Sequence, residues 1–290
     1  IGEANNRGIE MNLEWRDKTE SGFEYNVGVN MSTIRNRMTK LNGGTPISDG
    51  PFRNGSMYLT YTNEGMPIGA FWGYKTDGLI QTQEQLNAVK RADFQPNAEL
   101  GDVLFVDTNG DGKLDSSDRC MIGNPIPDII YGINMGMAWK GFDLNLQFGG
   151  TIGNQIFNAM RYYTYFPNDI TNKDRALMNY WTPNNTNTDI PRLTATDVND
   201  NDRFSDMYVE NGTYFRLRNA QLGYTLPASL TQRIKLQKVR FYVSGQNLFT
   251  ISSYSGMDPE VGQSSSLSRG IDYGIYPQNI SFTGGINVTF

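Results

Sequence analysis

"YGINMGMAWKGFDLNLQF", residues 131–148, decides the fold. Tyr131, Ile133, Met135, Met137 and Trp139 alternate with Gly132, Asn134, Gly136 and Ala138. Beyond Lys140–Gly141, Phe142, Leu144, Leu146 and Phe148 share one face, and Asp143, Asn145 and Gln147 share the other. Successive side chains of a strand point to opposite sides, so this spacing predicts a β-hairpin with one wholly apolar face and one small or polar face.

The same period recurs along the chain. Ile9, Met11, Leu13 and Trp15 alternate with Glu10, Asn12, Glu14 and Arg16, and after residues 17–22 come Phe23, Tyr25, Val27, Val29 and Met31. Residues 213–226 and 239–250 read as strands flanking "PASLTQRIKLQK", and "NISFTGGINVTF" (279–290) sets Ile280, Phe282, Ile286, Val288 and Phe290 on one side. The connections after strands one, three and five span roughly 6, 2 and 12 residues; those after strands two, four and six span about 90, 60 and 28. Short turns alternating with long loops are the asymmetry of an outer-membrane barrel. A soluble β-sandwich shares the alternation, but not loops of such length or large aromatics such as Trp15, Trp139 and Tyr224 near strand ends. The expectation is therefore an all-β chain: strands of a large antiparallel transmembrane barrel, with long extracellular loops and a periplasmic C-terminus. Seven strands are too few to close it, and "IGEANNRGIEMNLEW" opens inside a strand pattern, so the chain reads as a fragment. Within the loops, 83–92 and 172–181 are expected as short helices, the second opened by an Asn cap.

Composition narrows the function. Mean hydropathy is −0.50 and no apolar run approaches the ~18 residues of a membrane helix, which leaves strands as the way to cross a membrane. Thirty-one Gly, 16 Tyr and 15 Phe suit a β-rich, turn-rich chain. The absence of His removes the usual general base and transition-metal ligand, and the single Cys120 excludes an intrachain disulfide framework. There is no GxSxG or P-loop, and acidic pairs such as Glu99/Asp102 and Asp202/Asp206 read as solvated loop faces, so no enzyme is expected. A net charge of −5 argues against a nucleic-acid partner.

One motif carries ligand chemistry. In "DTNGDGKLDSSD", Asp107, Asn109, Asp111, Lys113, Asp115 and Asp118 fall at positions 1, 3, 5, 7, 9 and 12, with Gly112 at 6. These are the offsets of an EF-hand-type calcium loop, position 7 acting through its carbonyl. Asp in place of Glu at position 12 shortens the bidentate arm. The competing reading is a turn closed by its own Asx hydrogen bonds without metal. Loop aromatics form a second candidate set. Trp72, Tyr74, Tyr162, Tyr163, Tyr165 and Trp181, within "AFWGY", "MRYYTYF" (160–166) and "NYW", could stack on sugar rings or meet a partner. Packing within the loops is the alternative for each.

Six blocks then carry a resemblance: 62–86, 101–158, 214–227 ("YFRLRNAQLGYTLP"), 243–250 ("VSGQNLFT"), 254–261 ("YSGMDPEV") and 276–278 ("YPQ"). In this order they resemble the C-terminal part of the SusC/RagA-type TonB-linked outer-membrane transporters of Bacteroidetes. The resemblance implies a barrel of about 22 strands filled by a plug. It also implies import of oligosaccharides, or peptides in some members, powered by TonB, with a SusD-like surface lipoprotein as lid. The whole of 1–290 would be the C-terminal barrel portion; plug, TonB box and earlier strands lie outside it. Expected partners are that lipoprotein, the TonB complex through the missing N-terminal region, outer-membrane lipid and the rest of the same protein. Phe290 fits the terminal aromatic by which such barrels are recognised for assembly. The alternative function is a structural, adhesion or secretion-associated barrel without transport.

Overall fold

Lys140 and Gly141 sit at φ 47° and 88°, the left-handed pair that a two-residue hairpin turn requires. A Cβ on Gly141 would stand 2.8 Å from the Thr225 carbonyl oxygen, so the tight turn and the close neighbour both select glycine. The hairpin closed by this turn lies at the centre of the sheet. The structure, a computed structural model, describes residues 2–165, 172–262 and 265–290. Its main element is an antiparallel meander of β1 (Glu10–Lys18), β2 (Glu24–Thr33), β3 (Ile129–Trp139), β4 (Phe142–Ile152), β5 (Tyr214–Thr225), β6 (Lys238–Ser252) and β7 (Ser281–Thr289). These seven strands pair in chain order, leaving β1 and β7 as edges of an open sheet.

Register keeps the two faces apart across all seven strands. Trp15, Val27, Met135, Leu146, Ala220, Gly245 and Phe282 form one continuous cross-strand row. The adjacent row, on the opposite face, runs Glu14, Gly28, Asn134, Gln147, Asn219, Gln246 and Ser281. No second sheet covers the apolar face among the described residues: Leu13 is 59% exposed, Val243 60% and Phe282 79%. The sandwich alternative therefore fails, because a sandwich buries that face against a partner sheet.

The dry core lies in the long connections. The described residues of 34–128, 153–213 and 253–280 fold together at one end of the sheet. Phe52, Leu59, Phe71 and Ile122 come from the first, Phe157, Ala159, Tyr162, Phe204 and Tyr208 from the second, and Ile271 from the third, and all are buried in one cluster. Phe157 meets Phe52 and Phe204 edge to face, with centroids 5.4 and 4.9 Å apart. A four-stranded sheet (Ile47–Phe52, Met57–Thr62, Ala70–Gly73, Cys120–Gly123) backs the cluster. Gln155–Asn158 pairs antiparallel with Val209–Asn211 and parallel with Ile271–Asp272, stitching the second connection to the third.

Some local expectations need correction. Helix α1 (Gln83–Arg91) forms where expected, and Thr82 and Gln85 complete a reciprocal capping box. The helix expected over 172–181 is only a 3₁₀ turn, Arg175–Asn179, and its cap is Asp174 rather than Asn172. The Asp174 carboxylate accepts from the Ala176 amide at 2.8 Å. Helix α2 (Ala159–Tyr165) occupies a stretch read only as aromatic. Phe166, the last residue of that run, lies outside the described residues. The strand expected as 213–226 contains a bulge: Gln147 and Phe148 of β4 face Asn219 and Leu217, so Arg218 is the extra residue.

Phe157→Ala would leave a void where the connections meet. It is expected to cost about 3–5 kcal/mol, measured as lower resistance of segments 34–128 and 153–213 to proteolysis in denaturant. Unchanged protection would show that the loop body is not one packed unit.

Candidate functional site: the inner face and its mouth

The polar face is built from amides, hydroxyls, glycines and a few paired charges. Gly132, Gly136 and Gly149 leave room on it: a Cβ at Gly136 would collide with the Asn26 side chain at 2.1 Å. Asn and Gln therefore lie across the neighbouring strands and keep the face hydrogen-bonding between its paired charges. Near the short-turn end, Arg240 spans two strands to Asp143, donating from Nε at 2.8 Å, and also reaches Gln221 at 3.1 Å. Lys18 pairs with Glu24 at 2.7 Å.

At the opposite end the face meets the loop body through a buried ion cluster. Arg216 is 2% exposed. It donates to Asp258 at 2.6 Å, Glu260 at 2.8 Å and the Thr250 hydroxyl at 2.8 Å. Asp258 also accepts the Glu260 and Gln278 amides, and these donors together with Arg216 hold its carboxyl below the usual range despite burial. Close by, the Tyr254 hydroxyl donates to Asp272 at 2.6 Å; burial first, then this acceptor, pushes the phenol up and keeps it neutral. Sequence reasoning missed this cluster. Its signal was the paired arginines of "RLR" facing the polar side opposite the acids of "DPE".

The 107–118 loop closes on its own backbone. Asp107 accepts the Gly110 and Gly112 amides at 2.6 and 2.9 Å, and Asn109 and Asp111 accept those of Asp111 and Lys113 at 2.9 Å each. Asp118 is fully buried and takes the Thr108 and Asp115 amides at 3.0 Å each, while Asp115 caps Ser117. Amide donation, with Gly112 foremost, holds the Asp107 carboxyl below its ordinary value. Among the described residues no three His, Cys, Asp or Glu side chains are grouped closely enough to hold a metal ion.

The six loop aromatics do not gather at one place. Tyr162 and Trp181 are 3% and 6% exposed and belong to separate core clusters. The Trp181 indole donates to Gln81 at 2.8 Å and its ring fills the space a side chain on Gly101 would need. Burial pushes the Tyr162 phenol far above its ordinary value. Tyr163 leans on Phe52, Tyr74 on Phe105, and Tyr165 lies beneath Arg161. Trp72 is half-buried and stacks on Tyr61 with centroids 4.7 Å apart. Phe290, 83% exposed, ends the chain just beyond β7, whose Thr289 carbonyl accepts the Gln237 amide at the short-turn side.

The open antiparallel wall with segregated faces, crowned at one end by packed loops, is similar in fold to part of the RagAB structures. One structure of the RagAB peptide transporter superposes with a TM-score of 0.76 at 24% identity, covering 100% of this chain and 29% of that one. Another, of the importer in its open-open state, gives 0.75 over the same shares. By sequence, TonB-dependent receptor P3 of Formosa agariphila is 36% identical over 302 aligned residues, and TonB-dependent receptor SusC of Bacteroides thetaiotaomicron is 27% identical over 291. Each alignment takes in the whole of this chain but only 29% and 27% of the relative's length. No family model matches the chain. Over its full length the chain thus matches, at family level, the SusC/RagA-type TonB-dependent outer-membrane transporters.

Because the Asp107 pKa is depressed in the folded loop, its contribution is fully present above the unfolded carboxylate pKa and is lost as pH falls through the folded value. Protection of the Gly110 and Gly112 amides, relative to their intrinsic exchange at each pH, should hold from neutral pH down to about 4 and fall below that. Asp107→Ala should expose both amides already at neutral pH. Equal protection in the variant would remove Asp107 from the loop's closure.

Proposed function

We propose that this chain forms the C-terminal part of the wall of a plugged transmembrane β-barrel that imports a polar oligomer across the outer membrane, driven by TonB. The carrying observation is the seven-stranded meander with one uncovered apolar face and one polar face. Its strands run from 9 to 15 residues, enough to cross hydrocarbon at a tilt. Such a surface is stable when the apolar side meets lipid and the polar side meets water or the plug. The short turns then lie in the periplasm with the C-terminus, and the loop body lies outside.

The imported oligomer is an oligosaccharide or a peptide, a choice that the similarity to the RagAB peptide transporter keeps open. A SusD-like surface lipoprotein covers the mouth, and TonB engages a region outside this chain. No covalent chemistry is involved; the family is one of transporters, and the polar face offers binding groups only. Deleting the full-length gene should abolish growth on one class of glycan or peptide, and loss of TonB should reproduce the defect. If uptake of every tested oligomer persists in the deletion strain although the wild-type protein populates the outer membrane, the non-transporting structural reading replaces this one. The lipid assignment has its own measurement. Leu144→Arg should impair heat-modifiable barrel assembly by about 2–4 kcal/mol at the bilayer midplane, whereas Asn145→Arg should assemble normally.

Calcium in the 107–118 loop is also proposed. The offsets offer only oxygen ligands, the set a hard cation prefers, and a carboxylate oxygen that accepts one amide keeps a second lone pair. Isothermal titration of the full-length protein should detect one ion, lost in Asp111→Ala. A silent titration would leave the loop closed by its own hydrogen bonds alone.

A further inference from the structure

A cavity of about 310 Å³ opens on the inner face directly beneath the loop body. Apolar walls come from Pro127, Ile130 and neighbouring side chains, and its polar groups include Tyr214, Arg218, Glu260 and Arg269. Ile130, Thr151 and Tyr214 share one cross-strand row on the polar side of the sheet, so the cavity belongs to the mouth rather than to the lipid face.

Two features direct positive charge into it. Arg218 is the extra residue of the β5 bulge, and a bulge re-aims the side chain it inserts. That side chain leans over Gly149, where a Cβ would stand 2.7 Å from its Nε, so β4 supplies a glycine at the one position that lets the guanidinium lie flat. From there Nη2 reaches the Tyr214 hydroxyl and Glu260, each at 3.1 Å, while the side chain stays 45% exposed. Arg269, an exposed residue of the lining, forms no ion pair among the described residues. The acids nearby are already shared: Glu260 bridges Arg216 and Arg218, and Asp258 is held by Arg216. Three guanidiniums thus face two carboxylates, in a chain whose net charge is −5.

We propose that this cavity receives a carboxylate of the incoming oligomer, held between Arg218 and Arg269 with its apolar remainder against the proline-lined wall. The proposal rests on the transport reading and narrows its substrate class to oligomers bearing an acidic group, a uronic acid or a free peptide C-terminus. Arginine suits the role because its planar fork matches a carboxylate in two parallel hydrogen bonds.

The test uses the purified full-length protein in detergent and calorimetric binding of matched probes. Trigalacturonate is compared with maltotriose, and trialanine with its C-terminal amide, so the two arms separate a sugar source from a peptide source. In one arm the acid should bind about tenfold more tightly than its neutral counterpart, with the advantage shrinking as salt rises. Arg218→Gln and Arg269→Gln should each erase most of that advantage, and unchanged heat-modifiable migration of the barrel reports an intact fold. Gly149→Ala, which keeps every charge but displaces Arg218, should reduce the advantage similarly. Equal binding of acid and neutral probes in both arms, or an advantage indifferent to all three variants, overturns the proposal. Binding in detergent needs no TonB, so a failure of energised uptake with charge selectivity intact would count against transport alone.

Discussion

The two-residue period of the pleat, held in register through seven strands, is the constraint on which everything else depends. A slip of one residue in any pair would carry a whole apolar set to the polar side. Here the cost would be doubled, because neither face is neutral ground: one is apolar over most of its rows and the other is lined with amides and charges. Side-chain chemistry therefore fixes register more strongly than backbone hydrogen bonding could. The left-handed Lys140–Gly141 turn reinforces it at the central hairpin by permitting only one pairing, Trp139 with Phe142. The β5 bulge is the controlled exception. By placing two residues, Arg218 and Asn219, on the polar side in succession, it restores the apolar row beyond it and gains one extra polar side chain at the mouth.

How far this was legible follows from the range of each interaction. The strands were readable because alternation is local, and so were the Lys-Gly turn, the helix over 83–92 and the Asp107–Asp118 offsets, all set by residues within a dozen positions. The loop core was not. Phe52, Phe157 and Ile271 are brought together from three connections, and no local pattern marks an aromatic as a partner for another so distant in the chain. Tyr162 and Trp181 look in sequence like ligand-stacking rings, yet their burial uses the same apolar area and the same polar tips for packing. Arg216 was opaque for the opposite reason. An arginine on the polar face of a strand reads as solvated, and only the return of Asp258 and Glu260 from the last long connection turns it into a buried ion.

That ion cluster explains how two differently stabilised bodies hold together. The sheet buries little of its apolar face within this chain, while the loop body has a dry aromatic core of its own. Between them stands a charged joint. Removing one partner from a buried pair leaves an uncompensated charge at a cost of about 3–5 kcal/mol, whereas an apolar joint would tolerate sliding. Arg216 answers to both sides, through Thr250 on β6 and through Asp258 and Glu260 in the last connection. Asp258 in turn accepts the Gln278 amide just before β7 begins, so the joint also fixes where the chain re-enters the sheet.

A packed loop body changes what recognition at the mouth can rely on. The rings packed in the loop core, Phe52, Phe157 and Tyr162 among them, are not free to collapse around a ligand. Specificity then falls to groups anchored on strand ends, whose positions the sheet dictates, and to surfaces that stay exposed. Tyr214 and Arg218 meet the first condition, since both side chains project from β5 within the last turns of regular pairing. Their precision comes from a bulge, a glycine opposite and an ion pair behind them, three features of rigid backbone rather than of loop flexibility. The apolar face and the polar groups beneath the loops are in this sense products of one pattern: the alternation that gathers Leu and Phe on one side of the sheet gathers most of its polar side chains on the other.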